Sequence, residues 1–358
     1  MNYRALYRRL TTHLRKQLRT ASVAQVRNQA AVTQALAFCP NCHLATLAML
    51  LPVPGQRENL VQRIRRWLAN QAVVQQQCYM PLVRHLFAQW SGAEIGLVLD
   101  RTDIGRQWSI LMLAVAFQHR ALPLAWRVLS FGGTSAETQL ALIQQVQPYL
   151  PSIEQVRITL YGDSEFRAVD LQRYCRDQHW HWQLGLKSDI LFRQGESDWQ
   201  PLGSIAVAQG QRCYIQDVIL TQEHAFGPVN LIADWTTKEE TPRYSVVDQR
   251  ADRHTWRRGR KRFWIEPFFR DWKSYGFDLE SSKLIHDQRL TTLLLGMATA
   301  TLWMVHIGQW VMETDRRSWL EASHKQDYSI FRLGRDYAFR SQLMDWPLPI
   351  GFTVTYAP

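Results

Sequence analysis

"IGLVLD" (residues 95–100) is a short apolar run that ends on an acid. A run this short and this apolar suits a strand covered on both faces of a sheet. An acid at the end of such a strand stands where α/β sheets place their sites. "SILMLAVAFQ" (109–118) and "LPLAWRVL" (122–129) follow across short polar segments and read as two more strands. "SAETQLALIQQVQPYL" (135–150) has helical periodicity, with Ser135 placed to cap it. "VRITLYGD" (156–163) repeats the opening pattern, a strand closed by an acid. "AVDLQRYCRDQ" reads as a helix and "WHWQLGLKSD" (180–189) as a strand. The order, three strands, helix, strand, helix, strand, predicts an α/β sheet with Asp100 and Asp163 at strand ends on one edge.

Beyond this core the texture changes twice. From 190 to 250, "RCYIQDVILTQ", "GPVNLIADWT" and "RYSVVDQ" alternate, with turn residues between them, and predict a β-rich insertion. Helical patterning resumes near 252 and runs to about 312. Within it "LTTLLLGMATATLWMV" (290–305) carries no charge; it is short for a membrane span and rich in Thr, and reads as a buried helix. On the N-terminal side, Leu6, Leu10, Leu14 and Leu18 recur every four residues among bases, and "ENLVQRIRRWLANQ" is a second basic helix. Residues 1–90 therefore read as a small helical bundle.

Charge is distributed unevenly. The chain of 358 residues has a net charge of +11, and residues 1–93 contain twelve Lys and Arg against one acid, Glu58. The first quarter thus carries all of the net charge, which points to a polyanion partner, nucleic acid before membrane. Arg63, Arg65 and Arg66 are candidate DNA contacts within it. The opening "MNYRALYRRL" has no apolar leader run, and five scattered Cys suit a reducing compartment, so a cytoplasmic, nucleoid-associated protein is expected. "CPNCH" (39–43) imitates a zinc knuckle, but no second Cys pair completes four ligands. No phosphate-binding Gly loop, dinucleotide fingerprint, HExxH or GxSxG motif occurs, which removes the common nucleotide, zinc-protease and serine-hydrolase classes.

What remains is three acids: Asp100, Asp163 and Glu266, the last inside "RKRFWIEPFFRDWK" (260–273). Three convergent carboxylates offer the hard oxygen ligands that Mg²⁺ takes, and a pair of such ions supports in-line attack on a phosphodiester. Three neighbouring anions repel one another without a cation, so the site is expected to depend on metal. On an unbroken helix Arg262, Glu266, Phe269 and Lys273 share one face, a metal ligand between two phosphate-binding bases. Pro267 predicts either a kink there or a helix that begins there, with Glu266 near its cap.

"LVLDRTDIGRQWSILMLAVAFQHRALPLAWRVL" (97–129), "LYGDSEFRAVDLQRYCRDQHWHWQLGLKSD" (160–189) and "RFWIEPFFRDWKSYGFDLESSKL" (262–284) together resemble the DDE transposases of bacterial insertion sequences. The branch most similar marks its third carboxylate with a Tyr-Arg-Glu-Lys signature. The resemblance covers roughly residues 55–340 and implies Asp100, Asp163 and Glu266 as the catalytic, metal-binding triad. It implies Arg262 and Lys273 as DNA-backbone contacts and an aromatic that receives a flipped base, Trp235 or Tyr244. The signature Tyr falls on Gly259, the one departure.

The implied fold is a ribonuclease-H-like catalytic domain with a β-rich insertion, preceded by a small helical DNA-binding domain. The expected division is 1–90 for DNA binding, 91–189 for the first part of the core, 190–250 for the insertion, 251–315 for the helices carrying the third carboxylate, and 316–358 for a basic tail. The implied activity is that of an insertion-sequence transposase. It binds terminal inverted repeats, cuts the DNA ends and joins them to target DNA, using two Mg²⁺ ions or Mn²⁺, as a homodimer on DNA and without a membrane. The alternatives are a stand-alone metal-dependent nuclease of the same fold and a catalytically impaired DNA-binding regulator.

Overall fold

The computed structural model describes residues 2–322 and 324–355. Six helices open the chain: α1 (Tyr3–Gln17), α2 (Val23–Phe38), α3 (Leu44–Met49), α4 (Arg57–Leu68), α5 (Gln75–Cys78) and α6 (Met80–Ala88). The sheet region follows as β1 (Glu94–Ile104), β2 (Trp108–Phe117), β3 (Arg120–Ser130), α7 (Ala136–Val146), β4 (Arg157–Gly162), α8 (Val169–Asp177) and β5 (His181–Leu186). Next come β6 (Leu191–Gln194), β7 (Gln200–Pro201), β8 (Arg212–Leu220), β9 (Phe226–Asp234) and β10 (Arg243–Val247). Helices α9 (Arg253–Gly259), α10 (Ile265–Arg270), α11 (Asp287–Glu313) and α12 (Ile330–Met344) complete the described elements.

All ten strands join one mixed sheet in the order β3-β2-β1-β4-β5-β10-β9-β8-β6-β7. β1, β2 and β3 form an antiparallel meander, and β4 and β5 lie parallel to β1. Every residue of β2 from Ser109 to Phe117 is buried, which explains its unbroken apolar sequence. The strands of residues 190–250 do not fold apart as an insertion. β10 pairs antiparallel with β5, with Val246 opposite Leu184, and carries β9, β8, β6 and β7 outward as an extension of the same sheet.

The caps are those the sequence offers. Ser135 accepts from the Thr138 amide at the start of α7, and Asp252 accepts from the Thr255 amide at the start of α9. Leu6, Leu10 and Leu14 are the buried stripe of α1.

α11 is the axis of the helical layer. Its most apolar window is 89% buried inside the protein. It also supplies the polar partners that large side chains need when buried. Trp126 Nε1 donates to the Thr291 carbonyl (3.2 Å), and Trp272 Nε1 donates to Thr301 Oγ1 (3.0 Å). The N-terminal helices share this core. Gln29 Nε2, fully buried in α2, donates to the Cys78 carbonyl (2.9 Å) and to Thr299 Oγ1 of α11 (3.2 Å). Leu36 and Val32 close onto Gly296 at 3.0 and 3.3 Å from where a Cβ would stand. A boundary at residue 90 therefore cuts through one core: a chain beginning there would leave a face of α11 bare.

The segment expected as a basic tail is likewise built in. α12 crosses α11 where Gly334 meets the Met304 carbonyl and Gly308 meets the Ile330 carbonyl, and Phe352 is fully buried beyond it. Cys39 and Cys42 are free and buried, so "CPNCH" contributes to packing.

Candidate active site

The parallel register of β1 and β4 brings two of the three acids together. Pairing runs from Glu94–Arg157 to Leu99–Gly162 and stops. Asp100 and Asp163 are the next residue on each chain, leaving strands that lie about 4.8 Å apart. Asp100 does not end its strand, as its sequence suggests; β1 continues to Ile104, paired there with β2 on its other side. β4 does end, and Asp163 caps the short 3₁₀ turn Ser164–Phe166 by accepting from the Glu165 amide at 2.8 Å. Two glycines let that turn lie flat on the sheet. A Cβ on Gly185 would stand 2.7 Å from the Ser164 nitrogen and 2.8 Å from the Asp163 carbonyl carbon, and one on Gly162 would stand 2.9 Å from Phe166 Cβ.

The third acid comes from the helical stretch after Asp252. Residues 260–264 are 3₁₀, α10 starts at Ile265, and residues 271–275 form a π turn. Glu266 therefore sits in the first turn of α10, where Pro267 is tolerated because first-turn amides lack helical partners anyway. Glu266 is exposed and Phe269, one turn on in the same helix, is buried. Arg262 lies in the 3₁₀ segment and Lys273 in the π turn, where the turn angle differs from that of α10, so the single face expected of an unbroken helix over 262–273 does not hold for them. Phe268 and Trp272 are buried and anchor the stretch, as their spacing predicts.

Electrostatics ties the three together. Burial pushes the Asp100 carboxyl up to about 7; the amide of Arg101, 2.8 Å away, opposes this, the charge of Asp163 adds to it, Arg262 opposes it, and Glu266 adds to it. A buried carboxyl that feels two other carboxylates and one guanidinium is a donor set suited to a hard divalent cation. Among the described residues no three His, Cys, Asp or Glu side chains stand close enough to form a finished metal cage. The residues fit such an ion by chemistry and neighbourhood.

The flanking bases have defined places. The Arg262 guanidinium lies over the Phe263 ring, 4.2 Å from its centroid. Lys273 Nζ donates to the Asp103 carbonyl at 2.6 Å and to Thr102 Oγ1 at 3.4 Å, so it ties the π turn to the end of β1, and one of its three protons remains.

Asp163 opens into a cleft of about 2180 Å³ between the β5–β10–β9–β8 sheet and the α9 stretch. Nine Lys and Arg line it against three Asp, so its field is strongly positive. Trp235 and Tyr244 both line it. Trp235 is half-buried, with its indole nitrogen donating to the Glu239 carbonyl at 3.0 Å, while Tyr244 is only 6% exposed. Arg63, Arg65 and Arg66 are exposed on α4 and do not line this cleft; Arg63 donates to Asn28 Oδ1 at 2.8 Å. All twelve bases of residues 1–93 are exposed.

Gly259, the departure from the Tyr-Arg-Glu-Lys signature, is explained by its neighbour. A side chain there would collide with the amide group of Gln183 from β5, which fills that space and lines the same cleft. Gln183, Gly185, Arg101 and Glu165 are site residues that sequence reasoning missed. For Arg101 and Glu165 the available signal was adjacency, since "DR" and "DSE" begin with the two aspartates; Gln183 and Gly185 carry no such signal.

The family model described as the transposase DDE domain matches residues 94–303, well over half of the chain. No curated protein matches significantly. Among solved structures, the chain is similar to the cryo-EM structure of the piggyBac transposase synaptic complex with hairpin DNA, at 9% identity and a TM-score of 0.47, over 96% of this chain and 81% of that one. Since the matched domain begins with β1 and runs into α11, enclosing all three acids, the chain belongs to the DDE transposases, enzymes of DNA transposition.

Proposed function

We propose that Asp100, Asp163 and Glu266 are the catalytic carboxylates of an insertion-sequence transposase with a ribonuclease-H-like core. The observation that carries this is the meeting of Asp100 and Asp163 where the β1–β4 pairing stops, with Glu266 near enough for its charge to act on Asp100. The meander β3-β2-β1 followed by parallel β4 and β5 supports the ribonuclease-H-like assignment.

In this reading the three carboxylates hold a pair of Mg²⁺ ions, or Mn²⁺, which neutralise charge at the scissile phosphate and lower the pKa of the attacking oxygen. The chain does the remainder. Exposed bases of α1, α2 and α4 bind the terminal inverted repeat along its phosphates. The basic cleft holds the backbone of the cut end, with Arg262 and the free proton of Lys273 beside the phosphate. Trp235, its ring fixed through Glu239, offers a flat surface for an extruded base. Water oxygen bonds to phosphorus as the bond to the 3′ oxygen breaks, and the leaving 3′ oxygen takes up a proton as the water gives one to solvent; the freed 3′-hydroxyl oxygen then bonds to a phosphorus of target DNA as that phosphorus loses its own bond to the target's 3′ oxygen, which leaves as a hydroxyl while the attacking hydroxyl gives up its proton. Two ends cut and joined together call for two copies of the chain.

The test is Asp100→Asn, Asp163→Asn and Glu266→Gln in full-length protein, with plasmid bearing the element ends and Mg²⁺. Each is expected to abolish cleavage and to leave metal-free end binding intact. Cleavage within tenfold of the parent would remove that residue from the site.

A further inference from the structure

We infer that the Arg101–Glu165 ion pair is the clamp that sets the distance between Asp100 and Asp163; both are positioning residues. This rests on the reading of those aspartates as catalytic.

Backbone pairing brings the two aspartates near each other but does not extend to them, because the β1–β4 ladder ends one residue earlier, at Leu99–Gly162. Beyond that point β1 follows β2, and β4 turns away into the 3₁₀ turn. A side-chain tie spans the gap. Arg101 Nε donates to both oxygens of Glu165, at 2.9 and 3.1 Å. The same two residues hold the aspartates through their amides: Arg101 N donates to Asp100 Oδ1 and Glu165 N donates to Asp163 Oδ1, each at 2.8 Å. The path from one catalytic carboxylate to the other is thus carboxylate, amide, guanidinium, carboxylate, amide, carboxylate.

Both ends of the tie are braced. Arg101 Nη1 donates to Asp103 Oδ1 (2.6 Å) and to Ser109 Oγ (3.1 Å), and Ser109 Oγ donates to Asp103 Oδ1 (2.6 Å). Glu165 Oε1 accepts from the Thr134 amide (3.1 Å) and hydroxyl (2.8 Å). Each side chain of the pair is only 22% exposed. The brace reaches the third carboxylate's stretch as well, because Lys273 donates to the Asp103 carbonyl. With its carboxylate partners supplied by the protein, Arg101 is committed to structure, and Glu165 is held between Arg101 and Thr134. Partners that orient metal ligands are typically worth 10–100-fold in metal affinity or activity.

The test uses full-length protein. Glu165→Gln keeps the oxygen that Thr134 needs, removes the charge and puts an amide NH2 where Arg101 Nε now finds its nearer acceptor, so it breaks the tie with the least change of shape. Arg101→Met, Arg101→Lys and the Glu165→Gln/Arg101→Met double variant complete the set, and melting temperature reports folding in each. Four quantities are read: melting temperature, metal-free binding to end DNA, Mn²⁺ binding without DNA by electron paramagnetic resonance, and single-turnover cleavage. Each single removal should weaken Mn²⁺ binding and slow cleavage by about 10–100-fold, with end binding unchanged. The double variant should be no worse than the worse single one, because the two act as one unit. Arg101→Lys should recover part of the loss. Parent-like Mn²⁺ binding and cleavage in Glu165→Gln would overturn the clamp. So would losses that multiply in the double variant, or loss of metal-free DNA binding on removing Arg101. Asp100→Asn and Asp163→Asn run alongside: if they also cleave normally, the catalytic reading itself falls; if they fail while Glu165→Gln cleaves, only the clamp does.

Discussion

Gly185→Ala adds one methyl group behind Asp163. The new Cβ would stand 2.7 Å from the Ser164 nitrogen, 2.8 Å from the Asp163 carbonyl carbon and 3.2 Å from its Cα, where ordinary van der Waals approach begins at 3.4 Å. These are backbone atoms, so no side chain can swing aside. The 3₁₀ turn carrying Asp163 must lift by roughly 0.7 Å, or β5 must yield by as much. Overpacking of this kind costs about 1–3 kcal/mol. Removing a glycine from the unfolded chain gives back about 0.4–1 kcal/mol. The protein should stay folded, with a modest fall in melting temperature. Activity should suffer more, because a misplacement of about 1 Å at a catalytic group costs about 10²-fold. The assay is single-turnover cleavage of end DNA in Mg²⁺, with metal-free binding as the measure of intact folding. Gly133→Ala, where nothing lies within 4 Å of the added methyl, is the control and should behave like the parent. Cleavage by Gly185→Ala within threefold of the parent, at parent-like stability, would refute the claim that the placement of Asp163 against β5 matters.

Three further outcomes are expected. Gly259→Tyr should lower cleavage, because the ring must evict the Gln183 amide; combining it with Gln183→Gly should restore activity, and a single variant as active as the parent would contradict this. Replacing Arg63, Arg65 and Arg66 by Gln should flatten the plot of log affinity for end DNA against log salt by about 0.9 for each phosphate no longer neutralised, so by about 2.7 if all three touch DNA, with no change in melting temperature; an unchanged slope would remove α4 from the DNA interface. Gly334→Ala forces a methyl into the Met304 carbonyl where α12 crosses α11, and should cost about 3 kcal/mol in urea unfolding; a fall of under about 1 kcal/mol would mean that the two helices slide apart freely.

The sequence made the sheet readable because its strands are covered on both faces and so appear as apolar runs, and because the two acids follow them directly. It did not reveal that Asp100 lies mid-strand. β1 continues through Thr102 and Asp103 as one arm of a hairpin with β2, and those polar residues read as a loop. The shared core was hidden for a similar reason. α2 includes Gln29, Thr33 and Gln34, residues that read as surface, yet all three are buried, and the amides of Gln29 and Gln34 find partners at the Cys78 and Tyr3 carbonyls. A helix buried nearly all round shows no polar face to mark its orientation. The face proposed for Arg262, Glu266, Phe269 and Lys273 assumed regular α geometry, which the 3₁₀ and π turns replace. The Arg101–Glu165 pair joins residues 64 apart, a distance that no local pattern can bridge.

The central claim is that Asp163 is a metal ligand as well as a neighbour of Asp100. Asp163→Cys puts a thiolate, a softer donor that suits Mn²⁺ better than Mg²⁺, in place of the carboxylate. The decisive measurement is single-turnover cleavage by this variant in each metal, with metal-free end binding confirmed beforehand. The account requires no detectable cleavage in Mg²⁺ and measurable recovery in Mn²⁺. Parent-like cleavage in Mg²⁺, or an equal loss in both metals with end binding intact, would contradict it.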